Sequence, residues 1–182
     1  MARRRKTTEH TRDPRDYYCT PSWCVRRLYE ALPALPRPTL DPCAGTGALL
    51  VAGRGMRGVE LDAELVQAGG DPRLTQGDGL ALGWRGEHIL INPPYNDAQA
   101  WLEKGLAEAN SVTALLRLSM LGAQKRHAFW AAHPPRAIVV LSKRPSFTNG
   151  GTDNSEYGWF FWTKDPRLAA AHGLATLAWI TE

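Results

Sequence analysis

The sequence predicts an α/β protein with an open, mostly parallel twisted sheet and helices on both faces. Short apolar runs alternate with helical stripes from Thr39 to Trp162, the βαβα order that produces parallel sheets. Glycines or prolines follow several of the runs, at Gly45 and Gly47, Gly77 and Gly79, and Pro93 and Pro94, and such residues punctuate strand ends. The 182 residues are 43% hydrophobic and 22% charged, a globular balance with room for one α/β domain but not comfortably two.

In chain order, Thr20-Pro21 reads as a helix start, with Thr20 as N-cap and Pro21 in the first turn. Val25, Leu28 and Leu32 make an apolar stripe that Pro33 ends. Thr39–Asp41 is a strand end, Ala48–Ala52 starts a helix, and Gly58–Leu61 is a short strand. Ala63–Ala68 is helical and Arg73–Gln76 is a strand. Glu87–Asn92 contains the buried-strand run Ile89-Leu90-Ile91. Asp97–Ala109 is a helix capped by Asn96, with Ala98, Trp101, Leu102 and Leu106 on one face. Val112–Leu118 is strand, Ala123–Ala132 helix, Ala137–Leu141 strand, and Tyr157–Trp162 a final aromatic strand. Trp159, Phe160, Phe161 and Trp162 read as core.

Charge divides the chain unevenly. Residues 1–16 form a basic arm, expected to be flexible, in which Arg3, Arg4, Arg5, Lys6, Arg12 and Arg15 outweigh Glu9, Asp13 and Asp16. Residues 17–182 form the single expected domain. Within it, residues 109–152 carry Arg117, Lys125, Arg126, Arg136, Lys143 and Arg144 and no carboxylate. Two tracts of one sign favour a polyanion, although phosphate attraction alone does not separate DNA from RNA. No apolar run approaches the length of a membrane span and no secretory signal opens the chain, so a cytoplasmic location is expected. Cys19, Cys24 and Cys43 have no CxxC spacing, and the five histidines no ligand spacing, so neither a disulfide framework nor a metal is expected.

Three motifs close successive strands, where open α/β sheets bind ligands. In Asp41-Pro42-Cys43-Ala44-Gly45-Thr46-Gly47 the glycines let backbone approach a ligand. Alone, such a turn is equally a tight bend. The third glycine of the dinucleotide fingerprint is absent and no P-loop lysine follows, which points to a cofactor without a pyrophosphate. Glu60, in Val59-Glu60-Leu61-Asp62, is placed to accept from both hydroxyls of a ribose, while Asp62 caps the next helix. Asp78, between Gly77 and Gly79, can accept from an adenine amine or simply hold a turn.

The most specific motif is Asn92-Pro93-Pro94-Tyr95, after Ile89-Leu90-Ile91. Two prolines force an extended exit from the strand and make a rigid ledge. The Asn92 side-chain oxygen and the Pro93 carbonyl can accept both hydrogens of one amino group. That favours a pyramidal nitrogen able to attack a sulfonium methyl. Tyr95 offers a face on which a flipped base can stack; alternatively, it is a core residue after an Asn-Pro turn.

Taken together in this order, Thr20-Pro21, the Asp41–Gly47 turn, Glu60, Asp78 and Asn92-Pro93-Pro94-Tyr95 resemble the amino-methyltransferases of DNA, especially the small phage-type N6-adenine methyltransferases. Gly122–Arg126, Ser142–Phe147 and Glu156–Phe160 also look like theirs, so the resemblance runs from about Tyr17 to Trp162. It implies a Rossmann-like S-adenosylmethionine methyltransferase fold. It implies cofactor contacts from Thr20, Pro21, Asp41, Pro42, Gly45, Gly47, Glu60, Leu61, Asp78 and Asn92, with Thr20 and Asp41 at the methionine end, Glu60 at the ribose and Asp78 at the adenine. Catalysis would fall to Asn92, Pro93, Pro94 and Tyr95, asparagine favouring adenine N6 over cytosine N4. Lys125, Arg126, Lys143, Arg144 and Phe147 become expected DNA contacts.

Only 87 residues follow Tyr95, so no separate target-recognition domain is expected and loops such as Thr148–Glu156 would read the target. The same four-residue motif occurs in enzymes that methylate protein glutamine or ribosomal RNA guanine. RNA or protein substrates, or a non-catalytic DNA-binding relative, are therefore the alternatives. Monomer and homodimer are both open.

Overall fold

The computed structural model describes residues 18–147, 154–171 and 176–180. The basic arm 1–16, Tyr17, His10, His172 and most of the Thr148–Glu156 loop lie outside them. Among the described residues, eight strands make one sheet: β1 (Leu40–Asp41), β2 (Arg57–Glu60), β3 (Leu74–Gln76), β4 (His88–Ile91), β5 (Ser111–Arg117), β6 (Ala137–Leu141), β7 (Tyr157–Thr163) and β8 (Thr176–Ile180). Their order is β3-β2-β1-β4-β5-β7-β6-β8. Strands β3 to β5 are parallel, in the register Gly58↔Leu74, Leu40↔Arg57, Leu40↔Ile89 and Ile89↔Val112. The mostly parallel α/β architecture read from the sequence is therefore present.

The second half departs from the expected pattern. Strand β7 runs antiparallel between β5 and β6, pairing Ser111↔Thr163 through Arg117↔Tyr157 on one side and Ala137↔Phe161 through Leu141↔Tyr157 on the other. Nor is it the last strand, because helix α5 (Pro166–Ala171) leads to β8, which pairs parallel to β6.

Both faces of the sheet are covered, which explains the continuous apolar runs. Ile89 and Ile91 of β4 and Val112, Ala114 and Leu116 of β5 point into one core, with Trp101 and Leu102 of helix α3 (Ala98–Glu108). Leu90 and Leu115 point into the other, with Cys24, Val25 and Leu28 of helix α1 (Ser22–Ala31). Complete burial of a side chain such as Leu28 contributes about 2 kcal/mol. Trp159, Phe160, Phe161 and Trp162 are all buried and divide between the two cores by strand alternation.

Local details correct three boundary expectations. Pro21, not Thr20, occupies the N-cap of α1, and no side chain caps it; the Thr20 hydroxyl is engaged elsewhere. Asp97, not Asn96, precedes α3, again without a side-chain cap. The helix expected over Ala123–Ala132 is a 3-10 turn, Gln124–Arg126, followed by the short helix α4 (His127–Ala132). Asp62 does cap helix α2 (Ala63–Gly69), accepting from the Glu64 N–H at 2.9 Å. Among the described residues, no helix is long and apolar enough to cross a membrane.

Candidate active site

The chain leaves β1 at Asp41 and turns back through Gly45 (φ 54°) and Gly47 (φ 86°), left-handed conformations that favour glycine. The turn is fastened to β2. The Val59 carbonyl accepts from the Ala44 N–H at 2.9 Å, and Glu60 Oε2 accepts from the Gly45 N–H at 2.7 Å. Glu60 Oε1 accepts from the Asp62 N–H at 2.9 Å. Two backbone donors thus fix the carboxylate, while each oxygen keeps acceptor capacity for a ligand.

A third loop presses on this turn. At Gly79 an added Cβ would stand 1.8 Å from the Pro42 carbonyl oxygen, so only glycine permits the approach. The Gly79 carbonyl also accepts from the buried Trp84 indole at 2.9 Å. Asp78 folds its carboxylate onto the Leu80 N–H at 2.8 Å, and Leu80 and Leu61 both stay exposed.

Asp41 is 1% exposed. Burial pushes its carboxyl up to about 8, opposed by the bond from the Cys43 N–H and reinforced by the Glu60 charge. The Cys43 thiol is raised as well, by burial first and then by the same two carboxylates.

The ledge follows β4. Asn92 Nδ2 donates to the Tyr18 carbonyl at 2.9 Å and to the Thr20 hydroxyl oxygen at 3.0 Å. Its Oδ1 accepts from the Tyr95 hydroxyl at 2.8 Å. Tyr95 is only 7% exposed, and its ring lies 5.4 Å from that of Tyr18 and 5.6 Å from that of Tyr157. The Arg117 guanidinium covers it at 4.6 Å while Arg117 Nε donates to the Tyr157 hydroxyl at 3.0 Å. The open stacking face expected of Tyr95 is thus turned inward in this structure.

These features surround a cavity of about 560 Å³ at the carboxyl ends of β1, β2 and β4. Of the expected residues, Thr20, Asp41, Pro42, Gly45, Glu60, Leu61, Asp78, Asn92 and Pro94 line it; Pro21, Gly47, Pro93 and Tyr95 do not. The wall also includes Cys43, Ala48, Leu65, Leu80, Asp97 and Trp101, which the sequence reading did not single out as site residues. Leu80 stands two residues beyond Asp78, and the local sequence carries no signal that marks it as a wall residue.

The expected nucleic-acid contacts divide. Lys125, Lys143 and Arg144 are exposed and Arg126 is half-buried. Arg144 pairs at 2.6 Å with Glu156, a carboxylate just beyond the acid-free tract. Phe147 is 8% exposed and packs edge-on against Tyr18 and Tyr157, at 5.5 and 5.0 Å. It is an interior residue here rather than a surface contact.

No family profile matches the sequence, and no curated protein sequence matches it. Solved structures do resemble it. One, from Listeria monocytogenes, is assigned to the class I S-adenosylmethionine-dependent methyltransferases; it is 17% identical with a TM-score of 0.63, over 91% of this chain and 66% of that one. One from Pyrococcus horikoshii, assigned as an RNA methyltransferase, is 18% identical with a TM-score of 0.56, over 81% and 86%. A modification subunit assigned to a type I restriction enzyme of Vibrio vulnificus is 19% identical with a TM-score of 0.58, over 91% and 47%. The chain thus spans less than two thirds of the first and third of these proteins. The likeness establishes the Rossmann-like methyltransferase fold.

Proposed function

We propose that this protein transfers a methyl group from S-adenosylmethionine to the N6 amine of adenine in DNA. The observation that carries the reading is the ledge at the end of β4: an amide oxygen directed by its neighbours, followed by the Pro93 carbonyl, beside the cavity that contains Glu60 and Asp41.

The lining fits that cofactor. The volume of about 560 Å³ lies in the range of small-molecule sites. Glu60 would accept from the ribose hydroxyls, Asp78 from the adenine amine, and Leu61 and Leu80 would supply apolar contact to the adenine ring. Asp41 and Thr20 would face the methionine portion. When bound, S-adenosylmethionine supplies an electrophilic methyl group on a positively charged sulfur.

The chain's own contribution is to the nucleophile. An adenine amine is weakly nucleophilic because its lone pair is delocalised into the ring. Asn92 Oδ1 and the Pro93 carbonyl would accept its two hydrogens, favour the pyramidal nitrogen and fix its direction of approach. The Tyr95 hydroxyl, which now donates to Oδ1, must yield to the amine, and stacking of the base on the Tyr95 ring would require that ring to leave its packing against Tyr18, Arg117 and Tyr157. A duplex adenine would be extruded to reach this depth. The methylated product is a strong acid and loses its proton to solvent, so no basic side chain is required. Exposed Lys125 and Lys143 would contact phosphates, with Arg126 and Arg144 beside them.

The test is incubation with labelled S-adenosylmethionine and, separately, DNA, RNA and a protein extract, with nucleosides identified by mass. N6-methyldeoxyadenosine is expected, falling at least about 100-fold in Asn92→Ala. Label confined to RNA or protein would overturn the DNA assignment. No transfer to any of the three would overturn the enzyme.

A further inference from the structure

We infer that the segment Tyr18–Thr20 sets the orientation of the Asn92 side-chain amide, which makes Thr20 a positioning residue for methyl transfer. The inference rests on the reading of Asn92 as the acceptor of the target amine. The two ends of a side-chain amide have nearly the same shape and opposite hydrogen-bonding character. Only one orientation turns an acceptor toward an incoming amine. The reversed one would set NH₂ against NH₂ and leave the amine without its partner.

The neighbours of Asn92 decide between the two. A backbone carbonyl can only accept, so the Tyr18 oxygen, 2.9 Å away, requires a nitrogen at that end. Reversal would place two oxygens at that distance with no hydrogen between them. The Thr20 hydroxyl, which could serve either end of an amide, takes the second Nδ2 hydrogen at 3.0 Å and so adds strength to the orientation that the Tyr18 carbonyl selects. Thr20 is 4% exposed, so water cannot readily replace it. Oδ1 is left on the opposite side, where the Tyr95 hydroxyl donates to it at 2.8 Å. That phenol marks the place a donor from the substrate would take. Residues about seventy positions earlier in the chain thus set the polarity of the ledge, and Thr20 acts on the target amine through Asn92 rather than by touching it.

The experiment compares Thr20→Val, which keeps the branched shape and loses the acceptor, with Thr20→Ser, which keeps the hydroxyl. In the cofactor-free protein, NMR of the Asn92 side-chain NH₂ pair, assigned by its loss in Asn92→Ala, reads the bond directly. Thr20→Val should move one of the two protons upfield and speed its exchange; Thr20→Ser should restore both. With cofactor saturating, single-turnover methylation should fall about tenfold in Thr20→Val and recover in Thr20→Ser. Because Thr20 also lines the cofactor cavity, the cofactor Kd of each variant is measured by calorimetry and rates are compared only at saturation. Unchanged Asn92 signals in the valine variant would overturn the inference, as would an equal rate loss in the serine variant or a loss explained by cofactor affinity alone. Should the unmodified protein methylate nothing, the proposed reaction fails while the NMR comparison still decides whether Thr20 holds the Asn92 amide.

Discussion

Replacing Asp41 by Asn should stabilise the protein, and the gain should grow as pH rises from about 4 to about 8. Asp41 is almost fully buried, accepts one bond from the Cys43 N–H at 3.2 Å and lies within reach of the Glu60 charge. Its carboxyl is raised from the ordinary 3.8 to about 8. Between those values the unfolded chain has released the proton and the folded chain retains it, so rising pH favours unfolding. At about 1.4 kcal/mol per pH unit, the penalty reaches at most about 6 kcal/mol near pH 8 and stays constant above. Local relaxation and water entry reduce such penalties, so a plateau gain of about 2–4 kcal/mol is expected. Asparagine carries no charge at any of these pH values and can still present an oxygen to Cys43. Urea unfolding of both proteins from pH 5 to pH 9, with unchanged m-values, gives the difference directly. A difference that is constant with pH, or that shrinks as pH rises, would refute the reasoning.

Two further substitutions test the architecture of the site. Tyr95→Phe frees Asn92 Oδ1 and keeps the ring, so thermal stability should fall by about 1 kcal/mol while the KM for DNA decreases; more than about tenfold loss of transfer would instead assign the hydroxyl a part in the reaction. Gly79→Ala forces a Cβ to within 1.8 Å of the Pro42 oxygen, which should cost about 2–3 kcal/mol and weaken cofactor binding in calorimetry. Gly55→Ala, with nothing within 4 Å of the added carbon, is the control and should change stability by less than about 0.5 kcal/mol.

Most of the cavity was legible because its parts are local. Strand β4 carries the apolar run Ile89-Leu90-Ile91, and glycine or proline follows Asp41, Gln76 and Asn92 directly. Glu60 could be placed because the turn it holds and the strand it ends are both short. What escaped was set by distant partners. Thr20 before Pro21 satisfies every local rule for a cap, yet its hydroxyl answers to Asn92. The Tyr95 ring turns inward because Tyr18, Arg117 and Tyr157 receive it, and no spacing around the motif encodes that. The direction of β7 was equally hidden. Every residue from Tyr157 to Trp162 is buried, so its faces carry no polar alternation, and only pairing with β5 and β6 gives it a direction. Strand β8, Thr176–Ile180, follows the strand expected to be the last.

The insertion of β7 also has a bearing on synthesis. When the ribosome has made β5 and β6, neither has its later neighbour, and the two open edges await a strand that begins at Tyr157. Until that strand emerges, Leu115 and Val139 lack the Trp159 side chain that packs in their core, and Tyr95 lacks Tyr157. The parallel half can therefore assemble around its cavity early, whereas closure of the sheet and completion of the aromatic wall around the ledge coincide in one late event. A nascent chain stalled before residue 157 would leave β5 unpaired on one side and β6 on both, the condition under which sheets associate with one another.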